Sequence, residues 1–513
     1  MNDLNRSKRI AKNSLLLYIR TFFVLIISLY TSRVILRTLG VEDFGIYNVV
    51  AGVIAMLGYL TGSLSAASSR YITYDLGKGD MQQMKNTFGN ILSIHFIMAG
   101  IVLLIAETIG LWFVSTQLNV PAERQYAAMW VYQFAVLSSV IGLIAVPYNS
   151  AVIAHEKMSA FAYISIMDVV LKLGIACVLP LIPYDRLIVY SFLFFCIQLL
   201  DRIVYGIYCT RHFEETRARM AYNSTLFKEI FVFAGWTLNG SLAVMGFTQG
   251  LNILLNIFFG PAVNAARGIA IQVQSACQQF CNNFQMALNP QLTKSYAQGD
   301  LDYMHKLLIK SSKFSFYILF FVILPLMFEA KFVLQIWLGI IPEHTINFLR
   351  LILAIGLLYT LSNPIIVSVH ATGKLKKFQL IEGTMLLFIV PIAYVLLKFF
   401  HIPPEGVFMV HITVELITQY VRLRIVLPMI SLKFSIYIKQ VVFPILVVVI
   451  LSPLIPFVVY HYIGYGGWGT FLGICIICVL STSSIIYKLG CTVSERKFLL
   501  EKIKVFSHKI VKK

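Results

Sequence analysis

Apolar residues run in long stretches along this chain, and the polar residues collect in the breaks between them. Cutting at the breaks leaves about fourteen apolar segments. Most are at least 20 residues long, enough for a helix rising ~1.5 Å per residue to cross a hydrocarbon core of ~30 Å. The first six span 14–36, 46–68, 88–115, 126–153, 160–181 and 187–209. The next six span 229–258, 262–289, 314–336, 346–370, 378–400 and 406–428, and a further pair lies near 437–462 and 467–488. Lys and Arg residues sort onto alternate breaks. Of the 42, 27 lie on the N-terminal tail, every second connection and the C-terminal tail, Arg422, Arg424, Lys439 and Lys488 lie at the adjoining segment ends, and only Arg37, Arg124 and Arg186 lie on the other set. Cytoplasmic connections carry this kind of cationic excess. The pattern therefore predicts a multi-pass inner-membrane protein with both termini in the cytoplasm. The basic start from Met1 to Asn13 leads into a run that spans a bilayer without an evident small-residue cleavage site, which predicts a first transmembrane helix rather than a removed leader.

Composition agrees. The 513 residues are 58% hydrophobic and 13% charged, with a mean hydropathy of +0.79. A water-soluble core cannot hide that much apolar surface, whereas a lipid-facing bundle need not. The net charge of +19 is explained by loops facing an anionic leaflet, and nucleic acid is not an expected partner. Cys475 and Cys478 have the CxxC spacing, but the eight cysteines lie within or at the ends of apolar segments and read as small apolar filler.

The two six-segment blocks echo each other. Gly40, Thr73, Gly79-Asp80 and Met84 recur 220 residues later as Gly260, Thr293, Gly299-Asp300 and Met304. Pro147, Val152, Ala154, Lys157 and Phe161 recur 217 residues later as Pro364, Val369, Ala371, Lys374 and Phe378. A duplication follows. Six being even, both blocks start on the same side, as parallel repeats with a substrate site expected between them. The predicted domains are an N-terminal lobe (1–220), a C-terminal lobe (221–430), an extra transmembrane pair (431–490) and a basic tail (491–513). In the tail, Thr492 and Glu495 have capping-box spacing. Leu499, Ile503, Phe506 and Ile510 follow on one face, which predicts a short interfacial helix against membrane lipids.

The strongest local signal is the eighth segment. Asn264, Arg267, Gln274, Gln278, Asn282, Gln285 and Asn289 share one helical face, and Ser275, Gln279 and Asn283 widen it. Amides cannot be left unpaired in hydrocarbon, so the stripe faces other helices or water. Interhelical packing is the plainer reading; so many polar groups favour a wet cavity wall. Asn239, Gln249, Asn252 and Asn256 on the seventh segment are its expected partners. Amides offer donors and acceptors to sugar hydroxyls.

Ionisable residues inside the membrane are candidate functional groups. Arg20 and Arg267 lie deep in the first and eighth segments without a local acidic partner, and substrate contact competes with an ion pair elsewhere. Arg33 lies nearer the outer interface, where it can snorkel. Asp168 and Lys172 form an i,i+4 pair that can neutralise itself. Arg202 has Asp201 beside it, though adjacent residues on a helix point apart. Arginine's fork of donors suits phosphate. Together with the amides, it points to an anionic, polyhydroxylated substrate. Glu107, Glu415 and Asp168 are candidates for binding a coupling ion, H+ or Na+, and no other cofactor or metal is expected. No GxxxxGK[ST], HExxH or Ser/His/Asp arrangement is present in the sequence.

Lys12-Asn13-Ser14, the run Ser32-Arg33-Val34-Ile35-Leu36-Arg37-Thr38-Leu39-Gly40 and Asp43-Phe44-Gly45-Ile46-Tyr47 resemble the opening of bacterial polysaccharide flippases. These O-antigen and capsule repeat-unit exporters belong to a superfamily that also holds multidrug extruders and lipid II flippases. The resemblance covers about residues 10 to 430. It implies an all-α fold with two six-helix bundles in a V around a cation-lined cavity. Helices one, two, seven and eight would line that cavity, with Arg20 and Arg267 in it by position. It also implies alternating access that turns an undecaprenyl-pyrophosphate oligosaccharide from the cytoplasmic to the periplasmic leaflet, working with a polysaccharide polymerase. A cation-coupled multidrug extruder is the alternative, followed by a lipid II flippase and by a membrane glycosyltransferase or polymerase. The short periplasmic connections argue against an enzyme.

Overall fold

A segment in hydrocarbon has no water to satisfy its backbone, so it closes its hydrogen bonds within itself. In the computed structural model, which describes residues 3–55, 58–116, 121–339, 341–463 and 467–497, the predicted segments are helical accordingly. The helices are α1 (Asp3–Ala55), α2 (Gly58–Lys78), α3 (Met81–Ile105), α4 (Leu111–Thr116), α5 (Gln125–Ala154), α6 (Met158–Val178) and α7 (Arg186–His212). They continue as α8 (Ser224–Phe259), α9 (Pro261–Ala297), α10 (Leu301–Phe328), α11 (Ala330–Leu338), α12 (Thr345–Thr372), α13 (Lys376–Leu387), α14 (Ile389–Phe400) and α15 (Pro404–Met429). The last are α16 (Phe434–Tyr437), α17 (Phe443–Leu451), α18 (Leu454–Ile463) and α19 (Trp468–Ile485). Among the described residues there is no strand. Among the described residues, ten stretches of helix are long and apolar enough to cross a membrane. Those over the first, second, eighth and twelfth predicted segments are not among the ten. The eighth and twelfth, α9 and α15, are helical throughout but break their apolar runs with polar and charged side chains.

The duplication is written in the backbone. Gly40, where α1 breaks, has φ +79 and its repeat partner Gly260 has φ +82; Gly79 and Gly299 have +79 and +73. Only a residue without Cβ visits this region freely. The side chains between the two blocks have drifted, but the turns keep their torsions.

The chain divides into two units. Unit 1 comprises residues 1–242, 286–300 and 373–380, and unit 2 comprises 243–285, 301–372 and 381–513. Unit 1 packs Ile46, Val50, Val131, Tyr132 and Leu187 into one cluster and Ile35, Ala176, Leu179 and Tyr190 into another; Leu17, Met158 and Ala287 of α9 form a third. Lipid gives no hydrophobic drive between helices, so close contact and hydrogen bonds hold these faces. A π-turn at Ala106–Gly110 joins α3 to α4, and the Tyr132 hydroxyl donates to the Ala106 carbonyl at 2.7 Å. A methyl at Gly110 would collide with that hydroxyl.

At one end of unit 1, Arg124 forks between Asp43 (Nε 2.7 Å, Nη2 2.5 Å) and Asp185 (Nη1 2.5 Å), stapling three connections. Burial alone would raise the Asp185 carboxyl, but Arg124 and the backbone N–H groups of 188 and 187 hold it below its ordinary range. Unit 2 is built around α10 and α12, whose apolar stretches are mostly buried. The predicted capping box forms: the Thr492 N–H donates to Glu495 Oε2 at 2.8 Å and the Glu495 N–H to Thr492 Oγ1 at 3.4 Å. Glu495 also receives the buried Lys313 ammonium at 2.7 Å, which docks the start of the tail on α10. Leu499, Ile503, Phe506 and Ile510 lie outside the described residues.

Candidate functional site

The polar stripe of α9 resolves into two neighbouring rows. One row faces protein. Gln285 is buried and donates to the Thr360 carbonyl of α12 at 3.0 Å, and Gln274 lies against Gly356 of the same helix. Arg267 donates through Nη1 to Asn252 Oδ1 at 3.1 Å and through Nη2 to the Thr248 carbonyl at 3.0 Å, so it ties α9 to α8. Its Nε has no partner, and neither do Asn264 Oδ1 and Gln278 Oε1. Asn289 is half-buried beyond Gln285. The other row is exposed: Gly268, Gln272, Ser275, Gln279 and Asn282, at the 3–4 residue spacing of one face. Amides on a lipid-facing surface would be unsatisfied. Gln272 was not foreseen from the sequence. The signal was present, because it lies three residues before Ser275 and seven before Gln279.

On α8, Asn239, Gln249 and Asn256 are exposed, while Asn252 is half-buried beneath Arg267. Close by, the Tyr359 hydroxyl and His411 Nε2 are 2.9 Å apart, and both act electrostatically on Arg267.

Unit 1 gathers a second polar cluster. Arg20 stacks 4.8 Å over the Phe161 ring, within electrostatic reach of Tyr205 and Asp168, and its Nε is unpartnered. The acid that the first segment lacks locally is thus supplied by α6. Asp168 accepts from Lys172 at 2.8 Å and lies within electrostatic reach of Asp201 of α7. Asp201 entered the sequence reading only as a neighbour of Arg202. The pairing joins two helices, so spacing along one of them could not reveal it. Lys172 also lies 4.9 Å over Phe194, and Arg202 turns away from Asp201 to stack 4.0 Å over Tyr148. Glu107 accepts from Gln133 at 3.1 Å. The Arg33 side chain lies outside the described residues.

Unit 2 contains a buried charge network that local patterning also missed. Arg422, 3% exposed, donates to Glu382 Oε1 (Nε 2.9 Å), to Glu415 Oε1 (Nη1 3.3 Å), to Ser362 Oγ (2.6 Å) and to Gln419 Oε1. Two carboxylates face one guanidinium, and Glu415 Oε2 and Gln419 Nε2 remain without partners.

Residues 10–296, more than half of the chain, match the polysaccharide biosynthesis protein family. The chain belongs to that family. No curated protein sequence matches it closely enough to add to this. Its fold is that of MATE transporters of the MOP superfamily. A point mutant of a MATE transporter superposes with a TM-score of 0.71 at 13% identity, over 83% of this chain and 96% of the other. A MOP superfamily transporter from Pyrococcus furiosus gives 0.71 at 14% identity over the same shares. An outward-facing multidrug resistance MATE transporter gives 0.70 at 13%, again over 83% and 96%. At these identities the likeness concerns the fold alone. Family and fold together make this polysaccharide biosynthesis protein a multi-pass membrane protein with the fold of MATE transporters.

Proposed function

We propose that this transporter flips undecaprenyl-pyrophosphate-linked oligosaccharide repeat units, of the O-antigen or capsule type, from the cytoplasmic to the periplasmic leaflet of the bacterial inner membrane. Both termini lie in the cytoplasm, and the chain makes and breaks no covalent bond. The observation that carries the reading is the exposed row Gln272, Ser275, Gln279 and Asn282 on α9. A neutral hydrogen-bonding wall suits sugar hydroxyls, with Asn239 and Gln249 of α8 as further donors and acceptors. Arg20, with its unpartnered Nε, and Arg33 are the cations proposed for the pyrophosphate. Arg267 braces the wall from behind. The lipid tail stays in the bilayer while the head group passes, and a polysaccharide polymerase takes the product.

The test is translocation in proteoliposomes. Purified protein is given a fluorescent undecaprenyl-pyrophosphate oligosaccharide, and head-group exposure on each leaflet is scored. Protein-dependent flipping that is lost in Arg20→Ala supports the reading; no flipping by the parent overturns it. One observation favours a second reading, a cation-coupled multidrug extruder. In the Glu382–Arg422–Glu415 network Glu415 Oε2 has no partner, and it is the proposed seat of a coupling H+ or Na+. Drug efflux driven by an ion gradient in the same vesicles, without flipping, would select it.

A further inference from the structure

α5 ends in a hydrogen-bond pattern that normally calls for glycine. The Lys157 N–H donates to the Val152 carbonyl at 3.0 Å and the Glu156 N–H to the Ile153 carbonyl at 2.9 Å, the paired bonds of a Schellman cap. The residue in the left-handed position of that cap is Glu156, with φ +58. Ser431 ends α15 with the same two bonds at φ +58, while two other helix-ending turns use glycine. Gly299 closes α9 with the same two bonds, and Gly373, related to Glu156 by the 217-residue offset of the duplication, has φ +75. A side chain in this conformation is strained. Something other than the turn keeps Glu there.

The carboxylate shows what that is. Its side chain is 1% exposed, and both oxygens accept from Gln291 Nε2, at 2.7 and 2.8 Å. Oε1 also accepts from Lys294 Nζ at 2.9 Å, while the backbone carbonyl of Glu156 accepts from Asn13 of α1 at 3.3 Å. Gln291 and Lys294 lie on the last turns of α9, past Pro290, in the part of that helix that belongs to unit 1. The rest of α9 carries the exposed amide row. The second block places a different pair at the equivalent turn: Gly373 has no side chain, and Arg70 of α2 lies where its Cβ would be. The duplication therefore carries a carboxylate at one turn and a cation opposite the other.

We propose that Glu156 is a positioning residue for transport. It is a releasable clasp that holds the end of α9 in one state of the cycle and lets it go in another. A carboxylate clasp is strong when made and can be exchanged for water when the site opens. The side chain held in the left-handed turn marks the contact that has to change. The proposal rests on the chain being a transporter and not on the identity of the cargo.

Glu156→Gly separates a clasp from a turn, because glycine relieves the strained torsion and so does not threaten folding. Full-length protein in nanodiscs is followed by hydrogen exchange, without cargo, and in proteoliposomes by transport. The expected result is roughly tenfold faster exchange across 286–300 than in the parent, with 264–285 unchanged. The unfolding temperature stays within a few degrees of the parent, and transport falls about tenfold. Lys294→Met should give the same local exchange, and the double variant no more than either single, as two sides of one contact require. Parental protection in Glu156→Gly would overturn the proposal, as would additive effects in the double variant. A wrong cargo would change the transport arm alone and leave the exchange arm to decide. Should Glu156→Gly and Lys294→Met both unfold globally, the contact is a fixed structural element and the proposal fails.

Discussion

Arg267 on α9 donates to the Asn252 side chain of α8 at 3.1 Å, so the deepest cation of the eighth segment is also a tie between neighbouring helices. Arg267→Ala frees Asn252 and the Thr248 carbonyl in a half-buried place. The expected cost is about 1–3 kcal/mol, the range for a buried polar group left unsatisfied. Thermal unfolding in detergent should move down accordingly, and transport should fall with it. Lys in its place keeps one contact and loses the fork, so it should recover stability only in part.

Exposed amides should behave in the opposite way. Gln272 and Gln279 touch little, so Gln272→Leu and Gln279→Leu should leave the unfolding temperature unchanged while lowering transport severalfold. Equal loss of both stability and transport would assign the row to packing.

In unit 2, Arg422→Met strands Glu382 and Glu415 in the interior. Removing one partner of a buried pair costs about 3–5 kcal/mol, enough to lower expression as well as thermal stability. Adding Glu382→Gln to Arg422→Met should restore part of the loss, because one uncompensated charge is then gone.

The Asp185 carboxyl is held below its ordinary value of 3.8. Its sign follows: a carboxylate with a lowered folded value contributes stability above its unfolded value and loses it as pH falls through the folded one. Melting profiles should therefore decline below about pH 4 in the parent. Asp185→Asn should start lower at pH 7, by about 1 kcal/mol or less for so accessible a pair, and should show a shallower acid decline. An identical profile in both proteins would mean that the Arg124 fork leans on Asp43 alone.

Much of the fold was legible because hydrocarbon leaves a chain few options. Long apolar runs become helices, and the positions of Gly40, Gly79, Gly260 and Gly299 already announced turns that only glycine makes cheaply. The rows on α9 were legible to within one face. The sequence reading grouped Gln285 and Asn282 together, whereas one is buried against α12 and the other exposed. A hundred-degree step between residues separates such rows, and only the neighbouring helices decide which of them is covered. Asp201, Glu382 and Arg422 stayed hidden for a related reason. Each finds a partner on another helix, and no period within one segment records that pairing. The twelfth segment was recognised by its length, although α15 is too polar to pass on composition alone.

Gly40 with Gly260 and Gly79 with Gly299 occupy equivalent turns of two halves that could, as separate chains, pair as two identical copies. In such an assembly every residue appears twice, and a carboxylate at one helix-ending turn would have to appear at the other. The present chain has Glu156 at one and Gly373 at the other. A single polypeptide can carry a carboxylate at one of two equivalent turns and none at the other, which two identical copies could not.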